Sequence, residues 1–178
     1  MIKLEYFTED DFQQLIDWVP NDEFALQWGG PSFIYPLTYE QLQNYIINAN
    51  TLESTKYIFK VVELSNNETI GHISLGNVDR INECARVGKV LVGSNGARGK
   101  GYGTQMINII LKFAFEELKL RKVTLGVFDF NHSAIKCYEK VGFRKEGFLC
   151  DARKIGDEYW NLIEMGMSRS EWKVKVDS

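Results

Sequence analysis

Six residues near the middle of the chain, Arg98-Gly99-Lys100-Gly101-Tyr102-Gly103, crowd two cations and three glycines into one turn. An apolar run, Val87 to Val92, precedes the turn, and an apolar-periodic run, Thr104 to Leu120, follows it. Backbone N–H groups at a helix start, the positive end of the helix dipole and two cationic side chains then converge on one place, an arrangement suited to holding an anion. A Walker-type loop needs Gly-x-x-x-x-Gly-Lys followed by Ser or Thr. Here Gly101 follows Lys100 and Ser94 stands five before Gly99, so that pattern fails. A dinucleotide fingerprint needs glycines spaced two and three; Gly99, Gly101 and Gly103 are spaced two and two, after hairpin strands, and Asp129 near the end of the next strand alone speaks for it. A tight turn with no ligand is the bland reading.

The elements that must position this turn follow from periodicity. Ile2 to Phe7 alternates as a short strand, and Thr8 with Asp11 forms a capping pattern for a helix reaching about Trp18, ahead of Pro20. Between Asn21 and Leu37 the mixture of Phe24, Trp28, Phe33 and Tyr35 with Gly29, Gly30, Pro31 and Pro36 predicts a short helical turn and then a loop. Thr38 and Gln41 make a second capping box ahead of the stripe Leu42, Tyr45, Ile46, Ala49. Period two then takes over: Tyr57 to Leu64 and Thr69 to Val78 read as a hairpin, and Cys84 to Val92 as a third strand whose Gly88 signals a bulge or a close backbone approach. The helix after the turn shows Met106, Ile109, Ile110, Phe113 and Ala114 on one stripe. Val123 to Phe128 is a strand, Asn131 caps a helix ending at Gly142, and Phe143 to Cys150 and Glu158 to Met167 are strands joined through Gly156-Asp157. Trp172 closes a short tail.

Composition bounds the function. With 178 residues, 44% hydrophobic and 25% charged, the chain fits one domain with a substantial core. A net charge of −3 gives no general pull on nucleic acid. Cys84, Cys137 and Cys150 are odd in number and lack metal-ligand spacing, so neither a disulfide framework nor a metal site is expected, and reduced thiols in a cytoplasm fit. The acidic MIKLEYFTEDDF start is unlike a signal peptide, and no apolar run approaches a membrane span.

The turn fits the Arg/Gln-x-x-Gly-x-Gly/Ala signature of the GCN5-related N-acetyltransferases, and the likeness continues through Asn131-His132-Ser133-Ala134, Tyr138-Glu139-Lys140-Val141-Gly142-Phe143 and Glu146-Gly147. The second half of the chain resembles this family throughout, in particular its ribosomal-protein amino-terminal acetyltransferases. The first half is compatible and carries no sharp motif. The resemblance implies an α/β fold, a central mixed, mostly antiparallel sheet of about seven strands flanked by helices, as one domain over 1–178. Residues 84–150 would bind acetyl-coenzyme A, and residues 1–55 would face the acceptor. It also implies acetyl transfer to a primary amine, a protein N-terminus or a small molecule, by direct attack in a ternary complex, with no metal; a homodimer stays open. An acyl-CoA-binding sensor and a nucleotide- or NAD-binding enzyme are the rival readings.

By the same resemblance Arg98, Gly99, Lys100, Gly101, Tyr102, Gly103 and Thr104 hold the pyrophosphate. Val90, Leu91 and Val92 hold the pantetheine amides and thioester carbonyl, Asn131 adds a contact beside its capping role, and Tyr138 matches the tyrosine that protonates the leaving thiolate. The reaction needs a proton acceptor, because an aliphatic ammonium has a pKa of about 10.4. Many relatives carry a Glu on the third hairpin strand; here that stretch reads Cys84-Ala85-Arg86-Val87-Gly88, with Glu83 the nearest acid. Glu83, Asp79 and Glu63 are candidates, with water as the alternative. His72 and His132 titrate near neutrality in general but sit where no catalytic role is needed, and Cys137 has no visible activating partner for a ping-pong thiol. The aromatic cluster Phe24, Trp28 and Tyr35 is expected to wall the acceptor pocket, and the net acidity would suit a cationic acceptor.

Overall fold

Alternating and helical periodicities sort the chain into a sheet with helices on both faces. The computed structural model describes residues 1–93, 96 and 99–176. The order is β1 (Ile2–Tyr6), a tight helical turn at Glu9–Asp11 leading into α1 (Phe12–Asp17), α2 (Asp22–Gly29), α3 (Tyr39–Ile46), β2 (Tyr57–Glu63), β3 (Thr69–Asp79), β4 (Cys84–Val92), α4 (Tyr102–Lys112), β5 (Lys122–Phe128), α5 (His132–Val141), β6 (Arg144–Ile155), β7 (Glu158–Ser168) and α6 (Arg169–Val176). One seven-stranded sheet has the order β1-β2-β3-β4-β5-β7-β6. Every neighbouring pair is antiparallel except β4 with β5.

That parallel pair is short. Cys84, Ala85 and Arg86 pair with Lys122, Val123 and Thr124, and the ladder stops there. β5 stays paired with β7 through Phe128, and β4 stays paired with β3 through Val92, so the sheet forks between them. On the β3 side, His72 pairs with Leu91 and Ser74 with Gly88, so Lys89 and Val90 together oppose Ile73. This is the bulge that Gly88 signalled, and Lys89 takes the positive φ of 51° that it requires.

Two cores lie on opposite faces. Met106, Ile107, Ile110 and Leu111 of α4 are fully buried against Ala85, Val87, Val123, Leu125 and Val127. The buried stripe is rotated from the expected one, since Ile109 and Phe113 pack only partly. Four such side chains are worth about 6–12 kcal/mol of gross burial, which fixes where α4 begins. On the other face α1, α2 and α3 bury Phe12, Leu15, Trp28, Phe33 and Leu42 with Ile58 and Leu91.

Three segments differ from expectation. α2 is two turns rather than one, because Asn21 Oδ1 accepts from Phe24 N at 2.8 Å and Asp22 and Glu23 suit the first turn, before Gly30 ends it at φ 59°. β6 runs five residues further, to Ile155, pairing with β7 up to the Gly156-Asp157 turn. The tail is a helix: Ser168 and Glu171 cap each other, Ser168 N to Glu171 Oε2 at 2.9 Å and Glu171 N to Ser168 Oγ at 3.3 Å, and Trp172 packs on Phe115.

Candidate active site

The fork opens into a cleft of about 730 Å³. Phe24, Gln27 and Trp28 of α2 form one wall, Val87 to Val92 and Leu125 to Phe128 the two arms of the fork, and Gly99, Gly101 and the start of α4 (Tyr102, Gly103, Thr104) its mouth. Asn131, Ser133, Ala134, Cys137 and Tyr138 of α5 complete it. A second cavity of about 360 Å³ adjoins on the α2 face and shares Gln27, Trp28, Val87, Gly88, Lys89, Gly126 and Phe128 with the first. The two volumes therefore meet at the fork.

The start of α4 differs from its neighbours. The side-chain oxygens of Asn21, Thr38 and Asn131 accept from first-turn N–H groups of α2, α3 and α5, whereas the position before α4 is Gly101, which has no side chain to offer and sits at φ 75°. An absent cap costs about 1 kcal/mol, well below what α4 gains from its buried face. The first-turn N–H groups are thus left for a ligand, and at the mouth of a cleft they suit a phosphate. A Cβ added at Gly103 would meet Cys137 Sγ of α5 at 3.6 Å, an ordinary packing contact.

Of the residues singled out in the sequence, Val90, Leu91, Val92, Gly99, Gly101, Tyr102, Gly103, Thr104, Asn131, Tyr138, Phe24 and Trp28 line this one cleft. Lys100 is exposed beside its mouth, and Arg98 lies outside the described residues. Glu83 is not brought to the cleft. It precedes β4 at the closed end of the fork, where its carbonyl accepts from Arg121 and Lys122 N–H at 2.7 and 3.1 Å. Tyr35 is also elsewhere, half exposed beside Pro36 and outside both cavities.

The other acids are occupied. The Asp79 carboxylate accepts from the backbone of Asn82 and Ile81 at 2.8 and 2.9 Å, which lowers its pKa. Glu63 accepts the Tyr102 hydroxyl, which holds its carboxyl below the usual range. Asp129 accepts from Asn161 Nδ2 at 3.0 Å and does not line the cleft. Among the described residues no Asp, Glu or His lines the cleft. His132 is exposed. His72 is buried, its Nε2 3.2 Å from Tyr45 Oη, with Phe7 and Trp28 edge-on; burial, then the Lys89 charge, lowers its pKa to about 3. Cys137 Sγ touches Thr104 Oγ1 at 3.5 Å.

Tyr138 is 8% exposed, and burial raises its phenol above the ordinary value of 10. The phenol therefore stays protonated throughout the working range. It is also a weaker acid than a free thiol near 8.5, so donation of a hydrogen bond to a departing sulfur is favoured over complete proton transfer.

Sequence reasoning missed three features. Arg86 Nη1 and Nη2 donate to Glu164 Oε2 and Oε1 at 2.7 and 2.8 Å, reaching over Gly126, whose ideal Cβ would lie 2.4 Å from Arg86 Nη2. This clasp ties β4 to β7 where β4 leaves β5. Lys89, the only charge inside the apolar run Val87 to Val92, turns back beneath α2. Its Nζ lies 5.2 Å from the Tyr45 ring centre, 5.6 Å from that of Phe33 and 3.4 Å from Ser32 Oγ, and burial, then Lys56, lowers its pKa to about 8. Arg153 reaches the second cavity from β6. A lysine inside a buried strand was the one available signal; the other two depend on strand order.

A forked sheet with an uncapped helix start at its mouth is an architecture suited to a ligand that carries a phosphate. The chain belongs to the GNAT family: a family model described as an acetyltransferase (GNAT) domain matches residues 2–144. It is 33% identical over 143 residues to the SPbeta prophage-derived uncharacterized N-acetyltransferase YokL of Bacillus subtilis, covering 80% of this chain and 78% of that one. It is 27% identical over 156 residues to an aminoglycoside N(6')-acetyltransferase type 1 of Klebsiella pneumoniae, covering 82% and 75%. In fold it is similar to the spermidine N-acetyltransferase of Vibrio cholerae solved with CoA and spermine, with a TM-score of 0.81 at 23% identity over 97% of this chain and 98% of that one. No helix among the described residues is long and apolar enough to cross a membrane.

Proposed function

We propose that the chain moves an acetyl group from acetyl-coenzyme A to a primary amine by direct attack, the donor lying in the larger cleft and the amine reaching it through the fork from the second cavity. The observation that carries this reading is the junction of the two cavities at Gly88 and Gly126, beside a helix start left without a side-chain cap. The α4 first turn would hold the pyrophosphate, and the open β4 edge would meet the amide-bearing arm as a missing strand would. The amine lone pair forms the new C–N bond at the thioester carbonyl carbon, the C–S bond breaks, and the Tyr138 hydroxyl donates to the leaving sulfur. With no carboxylate or histidine lining the cleft among the described residues, water takes the ammonium proton. Deprotonating a group of pKa about 10.4 at neutral pH costs roughly 4–5 kcal/mol, which stays within the barrier while a relay of water carries the proton to solvent.

Small-molecule amines are the acceptors named for the aminoglycoside and spermidine enzymes in this family, and the second cavity, at about 360 Å³, fits a small molecule. Thermal-shift titration with acetyl-coenzyme A, coenzyme A and NAD, followed by thiol release over an amine panel, tests the reading. Stabilisation by the coenzyme A forms with acceptor-dependent thiol release is expected. Stabilisation by NAD alone would overturn it, and coenzyme A binding with no release would make the protein a sensor.

A further inference from the structure

The second cavity is cationic in a chain of net negative charge. Arg86, Lys89 and Arg153 line it, together with Ser32, Ser74 and Asn77, and no Asp or Glu lines it among the described residues. Arg86 is neutralised by Glu164. Lys89 and Arg153 form no ion pair among the described residues; Arg153 Nη1 donates to its own neighbour, the Ala152 carbonyl, at 2.6 Å, and Lys89 Nζ has Ser32 Oγ and two aromatic faces. The bulge is what aims Lys89: its positive φ turns the side chain out of the strand alternation and under α2. Burial already disfavours its charge, so a positive charge kept here without a protein carboxylate leaves an anion of the ligand as its natural partner.

From this we propose that the acceptor is a small primary amine that also carries a carboxylate or a phosphate, with its amine at the fork and its anionic group between Lys89 and Arg153. This rests on the acetyltransferase reading above. A polyamine or an aminoglycoside would bring cations to a cationic wall and be repelled. The net charge of −3 does not describe this cavity, whose lining holds Arg86, Lys89 and Arg153 and no Asp or Glu among the described residues.

The test measures thiol release from acetyl-coenzyme A with matched pairs: L-amino acids against their carboxamides, and 2-aminoethyl phosphate against ethanolamine, alongside spermidine, kanamycin and a peptide with a free N-terminus. The anion-bearing member of at least one pair is expected to exceed its neutral partner in kcat/KM by about tenfold or more. Which pair responds separates carboxylate from phosphate. Lys89→Met and, independently, Arg153→Gln should each bring that ratio toward one, and the Tm shift with coenzyme A checks that each variant is folded. Turnover of spermidine, kanamycin or the peptide ahead of every anionic amine, or a ratio unchanged in both folded variants, overturns the inference and leaves acetyl transfer standing. Absence of release with any amine removes acetyl transfer itself, and this inference with it.

Discussion

Lowering the pH from 7 to 5 offers His72 a proton that the folded protein resists. The ring is 1% exposed, Nδ1 has no partner among the described residues, and Phe7, Trp28 and Tyr45 surround it. Lys89 adds a nearby positive charge. The folded pKa is about 3, against 6.5 for an unperturbed imidazole. Between those values the unfolded chain binds more protons, so stability rises with pH; it is fully present above about 6.5 and is lost as pH falls toward 3. Integrated from pH 7 to pH 5, the loss is about 2 kcal/mol. The carboxyls of Glu5, Glu63, Asp79 and Glu171 are held below their usual range, and because unfolded carboxyls take up protons mainly below pH 5, their contributions are lost mostly beneath this window. Urea unfolding at pH 7, 6 and 5 reads the effect directly. Wild type should lose about 2 kcal/mol, and His72→Gln, whatever its stability at pH 7, should lose little over the same range. A wild-type loss under about 0.5 kcal/mol, or an undiminished slope in the variant, would refute the reasoning.

Tyr138→Phe keeps the shape of a buried ring and removes the hydroxyl; kcat should fall by about 100-fold, with KM for acetyl-coenzyme A within about twofold, measured by initial rates. Unchanged kcat would remove Tyr138 from the chemistry. Gly101→Ala meets no atom within 4 Å, so its cost is the left-handed backbone alone. A stability loss of about 1–2 kcal/mol in urea and weaker coenzyme A binding by calorimetry are expected, and wild-type values for both would show that the turn has another use.

What was legible in the sequence is local. The run Arg98 to Gly103 could be read because glycine spacing, a preceding strand and a following helix are all encoded within about thirty residues, and Asn131 and Gly142 marked α5 for the same reason. Ser168-x-x-Glu171 is equally local, but no apolar stripe follows it to mark a helix. The acceptor side was not legible. Arg86 and Glu164 are 78 residues apart and meet only because β7 inserts beside β5. Lys89 reads as one more strand residue until the bulge turns it. Glu83, the acid nearest the expected base in sequence, is at the wrong end of β4, a displacement that a count of residues along one strand cannot reveal.

The fork explains why those long-range features cluster. Ending a parallel ladder inside a sheet exposes backbone N–H and C=O groups along two facing edges, and each such group buried without a partner costs about 1–3 kcal/mol. The arrangement persists because β4 and β5 each keep a full ladder on their far side, α4 is anchored beneath by its buried face, and the Arg86–Glu164 clasp fixes where divergence starts. Gly126 leaves room for that clasp, since a Cβ there would press on the Arg86 guanidinium and force its end to shift. In the reaction proposed above, the open edges would serve the donor, which would supply the hydrogen bonds a strand would have made. On the α2 side the same bulge that interrupts the β3–β4 ladder turns Lys89 out of the strand alternation, and Gln27, Trp28 and Lys89 line both cavities, so this wall is shared with the larger cleft. Under the proposal above, a change at Lys89 would alter both volumes, whereas Arg153, which lines the second cavity and not the first, would alter the acceptor's alone.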